Sequence, residues 1–235
     1  TWSKGSLADD AYVWIYLLGS GGGGGSYDGN DVNGGDGGAA TLLYGKASLF
    51  NGGAYAIGAA KAGNAGGTSA YAGTTPNAST FTLSSANGST VFSTAGTSNT
   101  TSDRVLQVTS GSIDVISNTG DDFTLVSQTQ SGSVFSSSSV LPSGVVHVYR
   151  AAGKTYSGSN SSVEHSLFGG GNGGGYKNSG TYTSLPGTSE FSGAGGAAAT
   201  TGTNGSAPGG GGGGSKNNSN AGGTGAAGNV RVYHV

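Results

Sequence analysis

The sequence has no cysteine and no methionine, and charged residues make only 9% of it, against about 25% in an average soluble protein. Without cysteine there is no disulfide framework, and the redox compartment cannot be read from the chain. The formal net charge is -2, and no cluster of lysine or arginine stands out. Nucleic acid, which requires a basic surface to neutralise phosphates, is therefore not expected as a partner.

Long apolar runs are also missing. The longest, residues 11–18, is much shorter than the roughly 20 residues that span a bilayer as a helix. No signal peptide is visible, so we expect no membrane insertion. The chain begins at Thr1 and not at methionine, which we interpret as processing or as the C-terminal part of a longer product.

Large apolar side chains are scarce as well. Leu, Ile, Val and Phe make 39 of the 235 residues, about 17%, below the ~20% that accompanies disorder in highly charged chains. Here the charge is low, and 51 residues are glycine. Because glycine loses more conformational freedom on folding than any other residue, backbone hydrogen bonds must stabilise the fold to an unusual degree.

The glycines are concentrated in recurring blocks, at 19–38, 52–73, 169–175, 193–196, 209–214 and 222–228. In polyglycine II geometry a chain repeats every ~3 residues and its N–H and C=O groups point sideways, so neighbouring chains can bond to one another. We therefore predict a bundle of polyglycine II helices in which the glycines themselves are the core. The alternative is that these blocks are flexible spacers.

Strand-like segments flank the outermost blocks. "AYVWIYLL" (11–18) is bulky on both faces and is expected to be covered on both, and "NVRVYHV" (229–235) is expected to pair back into the fold. A disordered spacer has no use for such segments. They favour the folded bundle.

Between residues 78 and 165 glycine thins out, and β-branched and aromatic residues alternate with serine and threonine. Candidate strands lie at 80–85, 104–110, 113–117, 123–129, 133–139 and 144–151. Their regular spacing predicts a small antiparallel β-sandwich. The predicted fold is all-β with a polyglycine II helix bundle, divided into a first core half (1–77), the inserted sandwich (78–165) and a second core half (166–235).

The order of segments resembles the glycine-rich tips of tailed-phage tail fibres, including adhesins whose core is a polyglycine II bundle. The resemblance lies in "AYVWIYLLGSGGGGG" at the start, "AYAIGAAKAGNAGGTSAYAG" (54–73) in the middle and "GGGGGGSKNNSNAGGTGAAGNVRVYHV" (209–235) at the end. It implies that the glycine core is a scaffold and that loops at its distal edge contact a host receptor. Residues 78–165 have no counterpart in it.

Catalytic signatures are missing, and we expect no enzyme and no cofactor. There is no G-x-S-x-G elbow, and "GKT" at 153–155 lacks the upstream glycine of a P-loop. The three histidines are far apart in sequence, so no metal site is expected. The segment "DGNDVNGGDGG" (28–38) offers oxygen ligands of the kind calcium prefers but fails the EF-hand pattern, and we interpret it as a solvated turn cluster.

Receptor contact is expected from aromatic and polar residues in glycine-flanked loops, since tyrosine offers a flat apolar face and a hydroxyl. The candidates are Tyr27, Tyr71, Tyr156, Tyr176, Lys177, Asn178, Tyr182 and Glu190. Five of them fall in the segment 176–191, which two glycine blocks would hold as a tethered loop.

The predicted function is that of a receptor-binding adhesin at the tip of a phage tail fibre, extracellular and part of the virion. Its expected partners are a host cell-surface receptor and, at the N-terminal end, other subunits of an oligomeric fibre. Two alternatives remain open. One is a non-adhesive fibre or virion decoration protein, and the other is an ice-binding protein, for which a flat face rich in Thr or Ala, such as "AAATTGT" (197–203), would be required.

Overall fold

A computed structural model describes most of the chain, and it consists of strands and extended glycine segments with almost no helix. The described residues are 1–26, 31–67, 73–87, 91–94, 106–108, 124–126, 145–151, 168–177, 182–183, 185–217 and 219–234. Backbone alone is described for 106–108, 124–126, 145–151, 177 and 182–183. In these ranges no helix is long and apolar enough to cross a bilayer.

The strands are β1 (Tyr12–Leu18), β2 (Asp31–Val32), β3 (Ala40–Lys46), β4 (Ala54–Ala56), β5 (Ser79–Thr82), β6 (Val91–Thr94), β7 (Leu106–Val108), β8 (Thr124–Val126), β9 (Val145–Ala151), β10 (Tyr176–Lys177), β11 (Tyr182–Thr183) and β12 (Asn229–His234). One α-helical turn, α1 (Ala47–Phe50), follows β3, and a 3-10 turn spans Ser85–Asn87. The all-β class predicted from the sequence is confirmed at this level.

The described strands form three antiparallel sheets. Their orders are β12-β1-β3-β9-β8, β4-β5-β6-β7 and β11-β10-β2. The strands predicted at the two ends of the chain are confirmed, and they pair with each other through Leu17 and Val230 and the flanking residues. The closing strand does pair back into the fold, as predicted.

A hydrophobic core lies between the five-stranded and four-stranded sheets. Alternate residues of β1, namely Val13, Ile15 and Leu17, are fully buried there together with Phe81 and Phe92 from the other sheet. Period-two alternation places these residues on one face of each strand, so the two sheets pack as a sandwich.

This sandwich uses strands from several parts of the chain. Within 78–165, strands β5 to β7 extend a sheet that begins with β4, and β8 and β9 extend the sheet of β1 and β3. The strands predicted at 113–117 and 133–139 lie outside the described residues. The domain boundaries at 77/78 and 165/166 stay predictions.

The glycine-rich segments make a second core, which is built mainly from backbone. All residues of 19–26, 32–40, 169–175 and 209–215 are buried. In the central segment, residues 209–215, each N–H donates a hydrogen bond, and each carbonyl of 209–214 accepts one. Its partners are six segments, at 19–26, 33–39, 170–175, 193–199, 202–206 and 221–228.

The hydrogen bonds between two segments recur every third residue. The N–H of Gly211 donates to the carbonyl of Gly171, at 2.9 Å. Three residues later the N–H of Gly214 donates to Gly174, again at 2.9 Å. The same step of three links the central segment to its other neighbours, so the segments bond sideways in several directions, whereas a strand bonds only within a sheet.

The close approach of these backbones requires glycine. A Cβ at Gly212 would lie closer than 3.0 Å to the carbonyl of Gly223, a separation that real Cβ atoms essentially never show. The glycines of the central segment other than Gly209 are outside the positive-φ region. Space, and not an unusual backbone conformation, is therefore what excludes a side chain at Gly212.

Candidate functional site

An open groove lies on the face of the five-stranded sheet that points away from the hydrophobic core. It encloses about 280 Å³. Seven residues line it, and we call it the aromatic groove: Trp14, Tyr16, Leu42, Phe168, Phe191, Arg231 and Tyr233.

Strand register assembles this groove. On β1, Trp14 and Tyr16 alternate with the core residues and so lie on the opposite face. Directly across the antiparallel pair with β12, Tyr233 lies opposite Trp14 and Arg231 lies opposite Tyr16. Directly opposed residues share a face of the sheet, so these four residues form its floor.

Tyr16 fastens the glycine-rich part of the chain to this floor. Its hydroxyl donates to the carbonyl of Phe168 at 2.6 Å and lies 2.9 Å from the hydroxyl of Ser192. Ser192 donates to the same carbonyl at 2.6 Å. Burial of the ring raises the pKa of Tyr16 to about 12, so across the physiological pH range the hydroxyl keeps the proton that it donates to Phe168.

Two stacked aromatic pairs shape the groove. Trp14 stacks on Tyr44 with ring centroids 4.1 Å apart, and Phe168 stacks on Phe191 at 5.2 Å with nearly parallel rings. Phe191 is 53% exposed and Tyr233 is 49% exposed. The groove therefore presents flat apolar surfaces to solvent while its floor is anchored.

Arg231 is the only charged residue among the lining residues that the structure describes. The ion pair seen between described side chains joins Lys4 and Asp9, and no carboxylate of the described residues pairs with Arg231. The described part of the chain also holds no cluster of three metal-ligating side chains. The chemistry of the groove is thus that of aromatic faces beside one cation.

Four of the receptor-contact residues predicted from the sequence can be placed. Tyr176 is half-buried on β10, with the Lys216 ammonium 5.2 Å from its ring centroid. Lys177 lies opposite Tyr182 in the β10–β11 pair, and Glu190 is exposed. Tyr27, Tyr71, Tyr156 and Asn178 lie outside the described residues.

The segment interpreted as a solvated turn cluster has a different structure in its second half. Asn33 and Asp36 are each 3% exposed and belong to the glycine segment 33–39, where Asp36 accepts a backbone hydrogen bond from Gly22. The interpretation is wrong for these two residues, because flanking glycines allow the backbone to join the glycine-rich core and carry the polar side chains inside. Asp28 and Asn30 lie outside the described residues.

Sequence reasoning did not find the aromatic groove. It treated the face of β1 with Trp14 as a surface to be covered, and it did not single out Phe191 at the end of the segment 176–191. The sequence shows that aromatic residues alternate with aliphatic ones in β1, and that Arg231 and Tyr233 alternate with valines in β12. What the sequence does not reveal is that these two strands, more than 200 residues apart, are neighbours.

Comparison with known proteins identifies a family. A search of the curated proteins finds no match to this chain. A family model described as a glycine-rich domain matches residues 2–234, which is nearly the whole sequence. The chain therefore belongs to the glycine-rich domain family.

Proposed function

We propose that this chain is the receptor-binding tip of a tailed-phage tail fibre and that its glycine segments are polyglycine II helices packed as one bundle. The observation that carries the proposal is the bonding of the central segment 209–215 to six neighbours at steps of three residues. Three residues per turn and sideways hydrogen-bonding groups are features of that helix. Such a bundle is rigid but offers few side chains, so recognition falls to residues at its edges.

Two parts of the chain are proposed to contact the receptor, a glycan or a loop of an outer-membrane protein. One is the segment 176–191, which carries Tyr176, Lys177, Asn178, Tyr182 and Glu190. The other is the aromatic groove, which this segment reaches through its last residue, Phe191. Exposed aromatic rings held on a rigid support give large contact area at low entropic cost, which favours a binding function.

The virion setting is part of the same proposal. The N-terminal end of the chain is proposed to attach to other subunits of an oligomeric fibre, so that the binding residues face outward from the particle. This arrangement makes the adhesin extracellular. A tip attached at one end can present its edge loops and groove to the host surface.

The test is attachment of the purified chain to host bacteria and its competition with infection. We expect the double variant Tyr176→Ala with Tyr182→Ala to abolish attachment while the melting temperature changes by only a few degrees. Tyr55→Ala is the matched control, because Tyr55 is 46% exposed on the separate four-stranded sheet. The control should attach like the unmodified chain.

A second variant tests the groove itself. Phe191→Ser removes an exposed ring that lines the groove, and we expect attachment to fall at least tenfold without loss of folding. Attachment of both this variant and the double tyrosine variant at unmodified levels would overturn the proposed binding surface. Deletion of residues 78–165 is not a usable test, because it removes Phe81 and Phe92 from the hydrophobic core.

Ice binding is the second candidate, because one outer face of the bundle carries small residues at steps of three. Ala59, Ala62 and Ala65 are all exposed, and Ala221 is exposed on the neighbouring segment that Lys61 and Gly225 join. A flat, regular array of small side chains is what that function requires. Thermal hysteresis in a solution of the purified chain, lost in Ala62→Tyr, would favour ice binding over the adhesin.

A further inference from the structure

We infer that the aromatic groove binds a sugar ring bearing a carboxylate, with the ring stacked on the exposed aromatic faces and the carboxylate paired with Arg231. This inference rests on the proposed function, since it names the chemical class of receptor that the groove would take. It is carried by three observations on the groove, namely its charge, its surface chemistry and its size.

The positive charge of Arg231 favours an anionic ligand in the groove. Arg231 lies on the groove floor beside Tyr16, half-buried, and the described side chains give its guanidinium no carboxylate partner. A partly desolvated guanidinium gains most from a planar anion that it can bind through two parallel hydrogen bonds. A carboxylate on the ligand supplies that geometry.

The remaining surface calls for a flat and partly apolar ligand. Phe191 and Tyr233 expose about half of their surface at the groove, and Trp14 and Leu42 complete an almost wholly apolar lining. The C–H face of a pyranose ring is apolar and packs against aromatic rings, while its hydroxyl groups stay in water. A free phosphate would leave the aromatic faces unused, and a neutral apolar group would leave Arg231 unpaired.

The size of the groove limits the ligand to one or two rings. Its volume of about 280 Å³ is just below the ~300–1,000 Å³ range of small-molecule pockets. The site is also held in place before binding, because Tyr16 fixes the carbonyl of Phe168 and the hydroxyl of Ser192 beside the stacked phenylalanines. A preformed site of this size suits a terminal acidic sugar of a surface polysaccharide.

The experiment compares two probes that differ only at C6, which is a carboxylate in methyl β-D-glucuronide and a neutral hydroxymethyl group in methyl β-D-glucoside. Both are titrated into the full chain by isothermal calorimetry, with saturation-transfer NMR to locate the protons that contact the protein. We expect the glucuronide to bind at least tenfold more tightly than the glucoside and to lose affinity as salt is raised.

Three variants assign this difference to the groove. Arg231→Gln should lower glucuronide affinity to that of the glucoside, and Tyr233→Ala should weaken both probes while keeping their ratio. Lys46→Gln is the matched control, since it removes the same charge from an exposed position on β3 that does not line the groove. It should leave both affinities unchanged.

Several outcomes would overturn the inference: no glucuronide binding, equal affinity for the two probes, or an Arg231→Gln variant that still discriminates between them. Tight binding of an acidic aromatic peptide in place of the glucuronide would do the same, as would self-association that Arg231→Gln abolishes. Host attachment separates the two proposals. If the Arg231→Gln variant still attaches to host bacteria and the glucuronide does not bind, the inference about the groove is wrong and the proposed adhesin function stands. If the glucuronide binds but the unmodified chain does not attach, the inference about the groove stands and the proposed adhesin function is wrong.

Discussion

Two cores lie next to each other in this chain, and they exclude water by different means. In the sandwich, side chains such as Ile15, Phe81 and Phe92 fill the space between two sheets. In the glycine core, which we propose to be a polyglycine II bundle, backbones approach so closely at most glycines that a side chain added there would not fit. The N–H and C=O groups of its central segment bond to the neighbouring segments. Strand β1 belongs to the first core, and the glycine segment that follows it belongs to the second.

The two cores differ in the substitutions that each can tolerate. A side-chain core is stabilised by apolar burial, and it accepts substitutions that keep volume and shape. A backbone core is stabilised by hydrogen bonds worth about 1 kcal/mol each and must offset the larger conformational entropy of glycine. Because its contacts are mostly between main chains, a side chain added at almost any of its glycines separates them. The bundle should be the less forgiving of the two.

The largest effect is expected for a side chain placed in the middle of the bundle. In Gly212→Val the Cβ would collide with the carbonyl of Gly223, and we expect a loss of more than about 4 kcal/mol or no folded protein. Gly19→Ala is the milder comparison, since its Cβ would lie 3.2 Å from its nearest neighbour, the carbonyl of Thr94, a contact that a shift of a few tenths of an ångström relieves. Its cost should stay below about 1 kcal/mol in thermal or urea unfolding.

Amide exchange checks the same point without a substitution. The N–H groups of residues 209–215 should be strongly protected, whereas those of the exposed Gly66 and Gly67 should exchange quickly. Equal, rapid exchange at both places, together with unchanged stability of Gly212→Val, would mean that the glycine blocks are spacers.

The sandwich should respond to volume instead. Phe81 is fully buried and packs edge-to-face on Phe50 at 5.8 Å, so Phe81→Ala should cost about 3–5 kcal/mol. Phe81→Leu keeps most of the volume and should cost only about 1 kcal/mol. Urea unfolding measures both. If the leucine variant were as unstable as the alanine variant, the contrast with the bundle would fail.

The junction between the two regions should be sensitive to alkaline pH. Burial raises the pKa of Tyr16 to about 12 in the folded chain, above its ordinary value of 10.0. A raised pKa means that this contribution to stability is fully present below pH 10 and is lost as pH rises towards 12. By linkage the loss amounts to about 2–3 kcal/mol.

The variant Tyr16→Phe isolates this contribution from that of the other tyrosines. The free energy of unfolding of the unmodified chain should fall more steeply between pH 10 and pH 12 than that of the variant. Below pH 10 the variant should be less stable by about 1 kcal/mol, because it lacks the hydrogen bond to Phe168. Parallel pH profiles for the two chains would contradict the assignment.

Much of the fold could be predicted from the sequence, because the strands and glycine segments are specified by local patterns of residues. Alternation in 11–18 and the valine-rich end at 229–235 predict strands, and the glycine blocks predict segments that can pack only against backbone. The face assignments of β1 follow from its period of two. The sequence does not predict which distant segments contact each other. It does not show that β12 pairs with β1, or that Phe168 and Phe191 close the groove.

The candidate site depended on those partnerships. In the sequence, Arg231 is a single charged residue in the last strand, and Trp14 is one of several bulky residues in the first. Only the register of β1 with β12 places them on one face. The same limit explains Asp36: its sequence neighbourhood indicates a solvated turn, but the tertiary packing of glycine segments buries it. Long-range contacts overrode local composition in both cases.

A small effect is expected where a side chain takes the place of backbone at the edge of the bundle. The hydroxyl of Thr74 accepts the N–H of Gly23 at 2.9 Å and donates to the carbonyl of Ala62 at 2.8 Å. Thr74→Val keeps the shape but leaves the N–H of Gly23 unpaired, which should cost about 1–2 kcal/mol. Thr74→Ser keeps the hydroxyl and should stay within about 0.5 kcal/mol.

Amide exchange locates this effect within the bundle. In Thr74→Val the amide of Gly23 should exchange faster, while that of Gly24, which bonds to Gly223 at 2.9 Å, should keep its protection. That result would show that single hydrogen bonds at the edge of the bundle can be lost without opening it, in contrast to a side chain forced into its centre. If Gly24 lost protection together with Gly23, the edge would be as intolerant as the central segment, and the bundle would unfold as one cooperative unit.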